Sequence, residues 1–108
     1  MARYGDGPKT ANTVFEAAAM HQQVKVMCIE CRHHAVFDPH GLWWLFERRG
    51  WTGQFAMARH RFWCRRCSRL QGTKVKQAMI TLTSDRATII LERPSERTWK
   101  RAIDRYRG

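Results

Sequence analysis

Cysteine occurs four times in 108 residues, and only as two matched units, Cys28-Ile29-Glu30-Cys31 and Cys64-Arg65-Arg66-Cys67. Two C-x-x-C units with no cysteine left over are the donor set of a tetrahedral four-cysteine zinc site. A C-x-x-C turn puts both sulfurs on one side and leaves backbone N–H groups to bond them. Two such knuckles complete a tetrahedron of about 2.3 Å Zn–S bonds. The protein fills all four positions, so neither water nor substrate has a place on the ion. Its expected role is therefore structural. Arg32, Arg65 and Arg66 lie beside the thiolates and would offset their charge. Disulfides are the competing use of the same residues. The first ten residues lack the apolar segment of a secretory signal, which points to a reducing cytoplasm and to metal. No apolar run approaches the ~20 residues of a membrane span.

Cys31 and Cys64 are separated by 32 residues, so the elements between and around the pairs must bring them back together. Residues 1–12 carry Gly5, Gly7 and Pro8 without apolar periodicity and read as a flexible leader. Thr13-Val14-Phe15-Glu16 matches a capping box and predicts a short helix over about 14–22, within a 13–23 segment that docks on the body or binds a partner. Val24 to Met27 alternates into the first pair, and Ala35-Val36-Phe37 leaves it, giving strand, knuckle, strand. Asp38-Pro39 reads as an N-cap followed by proline at the first helical position, and Gly50 as the stop. Leu42, Leu45 and Phe46 share one face of that helix. Thr52 is placed to cap a second short helix ending near Ala58. Arg59 to Trp63 alternates basic and aromatic residues into the second pair.

Beyond Cys67, the run Thr73–Thr83 reads as a strand with Ala78, Ile80 and Leu82 on one side. Thr83–Arg86 supplies turn residues, and Ala87, Ile89 and Leu91 mark a returning strand, so an antiparallel hairpin is expected. Ser95 caps a final helix with Trp99, Ala102, Ile103 and Tyr106 as its apolar stripe. The expected class is α+β: a four-cysteine zinc ribbon over 24–73 with a helical insert between its knuckles. A β-hairpin and an amphipathic C-terminal helix over 74–108 pack with it as one domain.

Knuckles flanked by short strands resemble a zinc ribbon. More closely, Cys28-x-x-Cys31 with His33-His34-Ala35-Val36-Phe37-Asp38-Pro39, Leu42 and Arg61-Phe62-Trp63-Cys64-x-x-Cys67 resembles small zinc-ribbon proteins of alphaproteobacteria that have no settled role. The likeness spans about residues 24–70 and implies a ribbon in a bacterial cytoplasm. Arg32 and Ser68 stand where ribbons often place glycine. Cys64-Arg65-Arg66-Cys67-Ser68 also resembles the second knuckle of HNH nucleases, a treble clef whose second pair opens a helix. Against that likeness, the His33-His34 pair abuts Cys31, no Asp-His dipeptide occurs, and the later asparagine of that family is missing. Gly72 and the β-rich run after it oppose a helix from Cys64. His33 and His34 read as hydrogen-bonded or exposed residues near the knuckle, and His40 and His60 as surface residues.

Twenty Lys and Arg against nine Asp and Glu give a formal charge of +11. A tetrathiolate zinc centre, locally −2, lowers this to about +9. Residues 1–23 carry two cations and two anions, 24–73 nine and three, and 74–108 nine and four, so the excess belongs to the body of the chain. A polyanion is the expected partner. Arg48, Arg49, Arg59, Arg61, Arg65, Arg66 and Arg69 gather around the second pair, with Trp51 and Trp63 interleaved. Lys74 and Lys76 extend the stripe. Guanidinium groups bind phosphate and indoles stack on bases or ribose. Arg97, Lys100, Arg101 and Arg105 form a second basic group on the last helix.

The expected function is non-enzymatic nucleic-acid binding, DNA or RNA, in bacterial transcription or its regulation, with one structural Zn²⁺ and a nucleoid- or ribosome-associated location. The alternatives are an adaptor docking on RNA polymerase or the ribosome, and an HNH-like metal-dependent nuclease.

Overall fold

In the computed structural model, which describes residues 11–72, 76 and 78–107, the first helix, α1, spans Val14–Ala19. Thr13 Oγ1 accepts from the Glu16 N–H, and Glu16 Oε1 accepts from the Asn12 N–H, so the expected cap is formed. The helix stops three residues before position 22. His21 takes a left-handed φ of 55°, and the His21 and Gln22 N–H groups bond the Ala18 and Ala17 carbonyls, a Schellman closure made without glycine. Val14, Ala17 and Ala18 are buried, so α1 is docked on the body. Ala11 is buried too, and the Asn12 carbonyl accepts the Phe55 N–H, so the last two residues of the expected leader belong to the packed structure. The remainder of that leader lies outside the described residues.

β1 (Gln23–Cys28) is the centre of a three-stranded antiparallel sheet ordered β2-β1-β3, with β2 at His34–Phe37 and β3 at Ala78–Thr83. Val24, Val26 and Cys28 share one face of β1. The register puts Leu82, Ile80 and Ala78 opposite them on β3, and Phe37 and Ala35 opposite Val24 and Val26 on β2. Alternation in the sequence thus becomes one continuous apolar face that ends in a cysteine.

α2 spans Pro39–Arg49, with Asp38 as N-cap and Gly50 closing it at φ 68°. The local signals fixed both ends. Leu42, Trp43 and Phe46 are buried, and Trp44 is partly exposed. A second face of indoles is accommodated because α1 and α5 (Glu96–Arg107) pack beside α2. Trp43 meets Phe15 of α1 at 5.9 Å and Trp99 of α5 at 5.2 Å between ring centroids. Ser95 Oγ accepts from the Thr98 N–H at the start of α5, as the sequence predicts. His40, expected at the surface, packs edge-on to Trp99 at 4.7 Å.

Between the cysteine pairs, α3 (Phe55–Ala58) leads into a 3-10 turn at Arg59–Arg61. Gln54, not Thr52, precedes the helix. Thr52 Oγ1 instead accepts from the Gln54 N–H, a local turn that delays the helix start.

Two further expectations fail. The second pair does not sit on a ribbon knuckle: α4 runs Arg65–Gln71, directly from Cys64. And the expected hairpin does not form: residues 73–75 and 77 of its first strand lie outside the described residues, β3 pairs with β1, and the segment after the turn runs beside β2 and not back along β3. Residues 88–89 lie along the outer edge of β2, with the Thr88 and Ile89 N–H groups bonded to the Val36 carbonyl and the Asp38 N–H to the Ile89 carbonyl. A further anchor follows. Arg93 Nη2 and Nε donate to Asp38 Oδ1 and Oδ2 at 2.8 and 2.9 Å, and the Gly41 N–H donates to Oδ2 at 3.0 Å. β1 had an unfilled edge for β3, and the segment after the turn found better partners on β2 and Asp38.

Asp38 is only 4 % exposed. Burial alone would raise its carboxyl, but the Arg93 hydrogen bonds, the Gly41 N–H and the neighbouring positive charge outweigh it and hold the group below the usual range. Arg93→Ala should therefore cost about 1–3 kcal/mol by urea unfolding at pH 7, near the low end because the Arg93 side chain is largely exposed. The contribution of Asp38 is present above its ordinary value of 3.8 and is lost as the pH falls through the lower folded value. His40 is held below its ordinary 6.5, first by burial and then by His21 and Arg93, against the pull of Asp38. The unfolded chain therefore protonates first, and stability declines as pH falls below 6.5. His40→Asn should flatten that decline in denaturation curves recorded from pH 7.5 to 5.5. A Cβ on Gly41 would stand 2.5 Å from the Leu91 carbonyl oxygen. Gly41→Ala, ordinarily favourable in a helix, should here lower stability by about 1–3 kcal/mol in the same assay.

Candidate metal centre and the cationic surface beside it

The first cysteine pair is held by the β1–β2 turn. Met27 pairs with His34, the Cys28 N–H donates to the His33 carbonyl, and the Arg32 N–H donates to the Cys28 carbonyl, both at 2.8 Å. The turn needs a left-handed residue, and Arg32 fills it at φ 64°. A side chain there costs about 1 kcal/mol that glycine would avoid. The second pair is held differently. Cys64 is extended and caps α4 through its own sulfur, which accepts the Cys67 N–H at 3.4 Å, while the Ser68 N–H bonds the Cys64 carbonyl at 2.9 Å. Ser68 continues the helix where glycine would have favoured a turn. Gly72, at φ 73°, closes α4 rather than preventing it.

Cys28 and Cys67 approach at 3.6 Å between sulfurs, as do Cys31 and Cys64, and all four sulfurs lie within 4.8 Å of one another. None is bonded to another. A tetrahedron with about 2.3 Å metal–sulfur bonds has an edge of about 3.8 Å, so these spacings fit a four-sulfur metal site. Cys28 and Cys67 are buried, and Cys31 and Cys64 partly so. Taken among themselves, the sulfurs push the Cys67 thiol well above its ordinary value, first through its hydrogen bond with Cys31, then through burial, Cys28 and Cys64. A divalent cation reverses that, since it binds the thiolate form. The cysteine cluster is separate from the apolar core built on Val24, Leu42, Trp43 and Phe46.

The cationic residues fall into distinct settings. Arg49 at the end of α2 and Arg61 in the 3-10 turn converge on the Trp51 ring, 5.6 and 4.7 Å from its centroid. Arg48 lies 5.7 Å from the Trp44 ring and 3.8 Å from Glu92. Arg59 is exposed on the 3-10 turn, Arg65, Arg66 and Arg69 are exposed on α4, and Lys76 is exposed before β3. Lys74 lies outside the described residues. Among the described residues, ion pairs engage only two arginines, Arg48 and Arg93. Arg97, Lys100, Arg101 and Arg105 are exposed on α5, at the other end of the chain from this group.

A cleft of about 510 Å³ adjoins the metal centre. Its floor includes Val26, Ala35 and Phe37 on the apolar sheet face, and its opposite wall is the stretch from Arg61 to Arg65. Trp63 lines it and is 43 % exposed. His33 and His34 line it as well, a placement that sequence reasoning did not give them. Their adjacency to a knuckle was visible. The return of residues 61–65 over the sheet was not, because it depends on closure of the cysteine cluster. Among the described residues, no helix is long and apolar enough to cross a membrane. The chain matches no family model, no curated protein and no solved structure.

Protein purified under reducing conditions should carry one divalent ion per chain by elemental analysis, and Cys31→Ser or Cys67→Ser should reduce that well below one. Because the two clusters are separate, chelation should expose amides of α4 and the 28–33 turn to hydrogen exchange while those of α2 stay protected. Protection unchanged at α4 would contradict a metal clasp.

Proposed function

We propose that the protein is a non-enzymatic nucleic-acid-binding module. In it, one structural zinc ion fixes the shape of an arginine-bearing surface, and its setting is bacterial transcription or its regulation. Zinc is favoured by the all-thiolate, four-coordinate donor set, which leaves no open ligand position for catalysis. The observation that carries the binding reading is the convergence of Arg49 and Arg61 on Trp51. A guanidinium lying on an indole is held in place while its N–H edge remains available to phosphate. Around this pair, Arg59, Arg65, Arg66 and Arg69 have no carboxylate partner among the described residues, so their charge is not neutralised there.

A second reading, an adaptor docking on RNA polymerase or the ribosome, is favoured by one observation. Leu70 on α4 is 82 % exposed and Ile29 in the first knuckle 52 %, both on elements that carry the cysteines. Such apolar residues suit a protein contact. The nuclease reading gains one point, since α4 does open at Cys64. It still lacks the Asp-His dipeptide and the asparagine of that family.

Titration of labelled DNA and RNA at several salt concentrations tests the proposal. Log affinity should fall linearly with log salt, by about 0.9 per phosphate contact on duplex DNA, and Arg49→Ala or Arg61→Ala should each reduce the slope by about 1. Absence of binding at low salt would sink the reading and favour the adaptor. Strand cleavage in Mg²⁺ that disappears in His34→Ala would favour the nuclease.

A further inference from the structure

The sheet face that builds the core is not fully covered. Helices pack on its Val24 end, where Phe37 lies beside Val24, while Val26, Ala35 and Ala78 carry the face on toward the cysteines and, with Phe37, line the open cleft. The far wall carries two aromatic residues, Phe62 and Trp63, between two arginines, Arg61 and Arg65. Among the described residues, no carboxylate lines the cleft. Its volume, about 510 Å³, lies in the range of small-molecule sites, roughly 300–1,000 Å³.

This pairing of features calls for a ligand that is both apolar and anionic. An aliphatic peptide would use the apolar floor but give the arginines nothing to bind. A duplex backbone would use the arginines and leave the floor empty. A nucleotide with an unstacked base satisfies both: a flat ring with apolar faces, joined to an anionic phosphate. Arg61 ties the cleft to the phosphate-binding surface, since the same residue lies over Trp51.

We infer that the cleft between the sheet and residues 61–65 receives an unpaired nucleobase, with its phosphate at Arg61 and Arg65. The protein therefore prefers single-stranded to duplex nucleic acid. The inference rests on the nucleic-acid reading above and names the class of nucleic acid that reading leaves open. The arrangement gives a role to Trp63, exposed between Arg61 and Arg65, while Phe62 beside it packs inward on Phe37 and Phe46. The metal centre then acts on binding indirectly, by holding the wall against the floor.

The test uses the metal-loaded full chain and fluorescence anisotropy at fixed salt. The probes are a single-stranded DNA, a single-stranded RNA, the matching duplex, and the same DNA strand with abasic positions that keep every phosphate. The intact strands should bind roughly tenfold or more tighter than both the duplex and the abasic strand. The tighter of the two intact strands identifies the sugar. Intact strand should also quench tryptophan emission, and Trp63→Phe should remove most of that quenching. Equal affinity for intact, abasic and duplex probes, with the salt dependence retained, would overturn base insertion and leave phosphate binding standing. Binding to none of the probes would overturn both. A dimer in sedimentation that Trp63→Arg dissociates and oligonucleotide does not would assign the cleft to a second copy of the chain and also overturn the proposal.

Discussion

Closure of the four sulfurs is the contact on which the arginine-bearing side of the molecule depends. It joins a turn between two strands to the first turn of a helix, across more than thirty intervening residues. An ion at that point lets its coordination energy offset the entropy of closing so long a loop. It also decides where the segment before Cys64 runs. Phe62 is held near Phe37, at 5.5 Å between rings, and the stretch from Arg61 to Arg65 becomes a wall facing the sheet. Without that closure the same residues would be a basic loop with no defined partner.

A second junction, at Asp38, organises the other half. One buried carboxylate caps α2, holds the Gly41 N–H and receives two hydrogen bonds from Arg93. It therefore fixes the start of a helix and the path of a strand-like segment fifty-five positions away. Once residues 88–93 are committed to β2 and Asp38, they cannot return along β3. The edge of β1 is filled by β3 instead, and α5 is delivered onto α1 and α2. The three-helix aromatic cluster of Phe15, Trp43 and Trp99 then closes the core apart from the cysteine cluster.

The two junctions divide the labour of the fold. The Asp38 side is packed and aromatic, and its apolar core is a cluster separate from the cysteines. The cysteine side is small, sulfur-centred and bordered by exposed arginines and a cleft. A surface with an excess of one charge sign is self-repelling, and arginines held on the indole of Trp51, or on Trp44 beside Glu92, tolerate it better than free side chains would. The exposed arginines and the cleft thus sit beside the one cluster placed to hold an ion among the described residues.

Much of this was legible in the order of residues alone, and the reason is locality. Thr13 with Glu16, Asp38-Pro39 with Gly50, and Ser95 are capping signals complete within a few positions, so the helix starts they predict are the ones observed. The paired cysteines carried their own chemistry, and their gathering followed from the donor set. Tertiary structure decided the rest. Which edge accepted β3, and which strand residues 88–89 lay against, turned on competition between distant hydrogen-bonding partners that no local window contains. Cys64 could open either a knuckle or a helix, and the choice fell to the helix once its sulfur capped Cys67 and Gly72 supplied the left-handed stop. The cleft is the last consequence. Its floor and wall come from segments on either side of the second cysteine pair and from the strands at the first, and the meeting of the sulfurs holds them face to face.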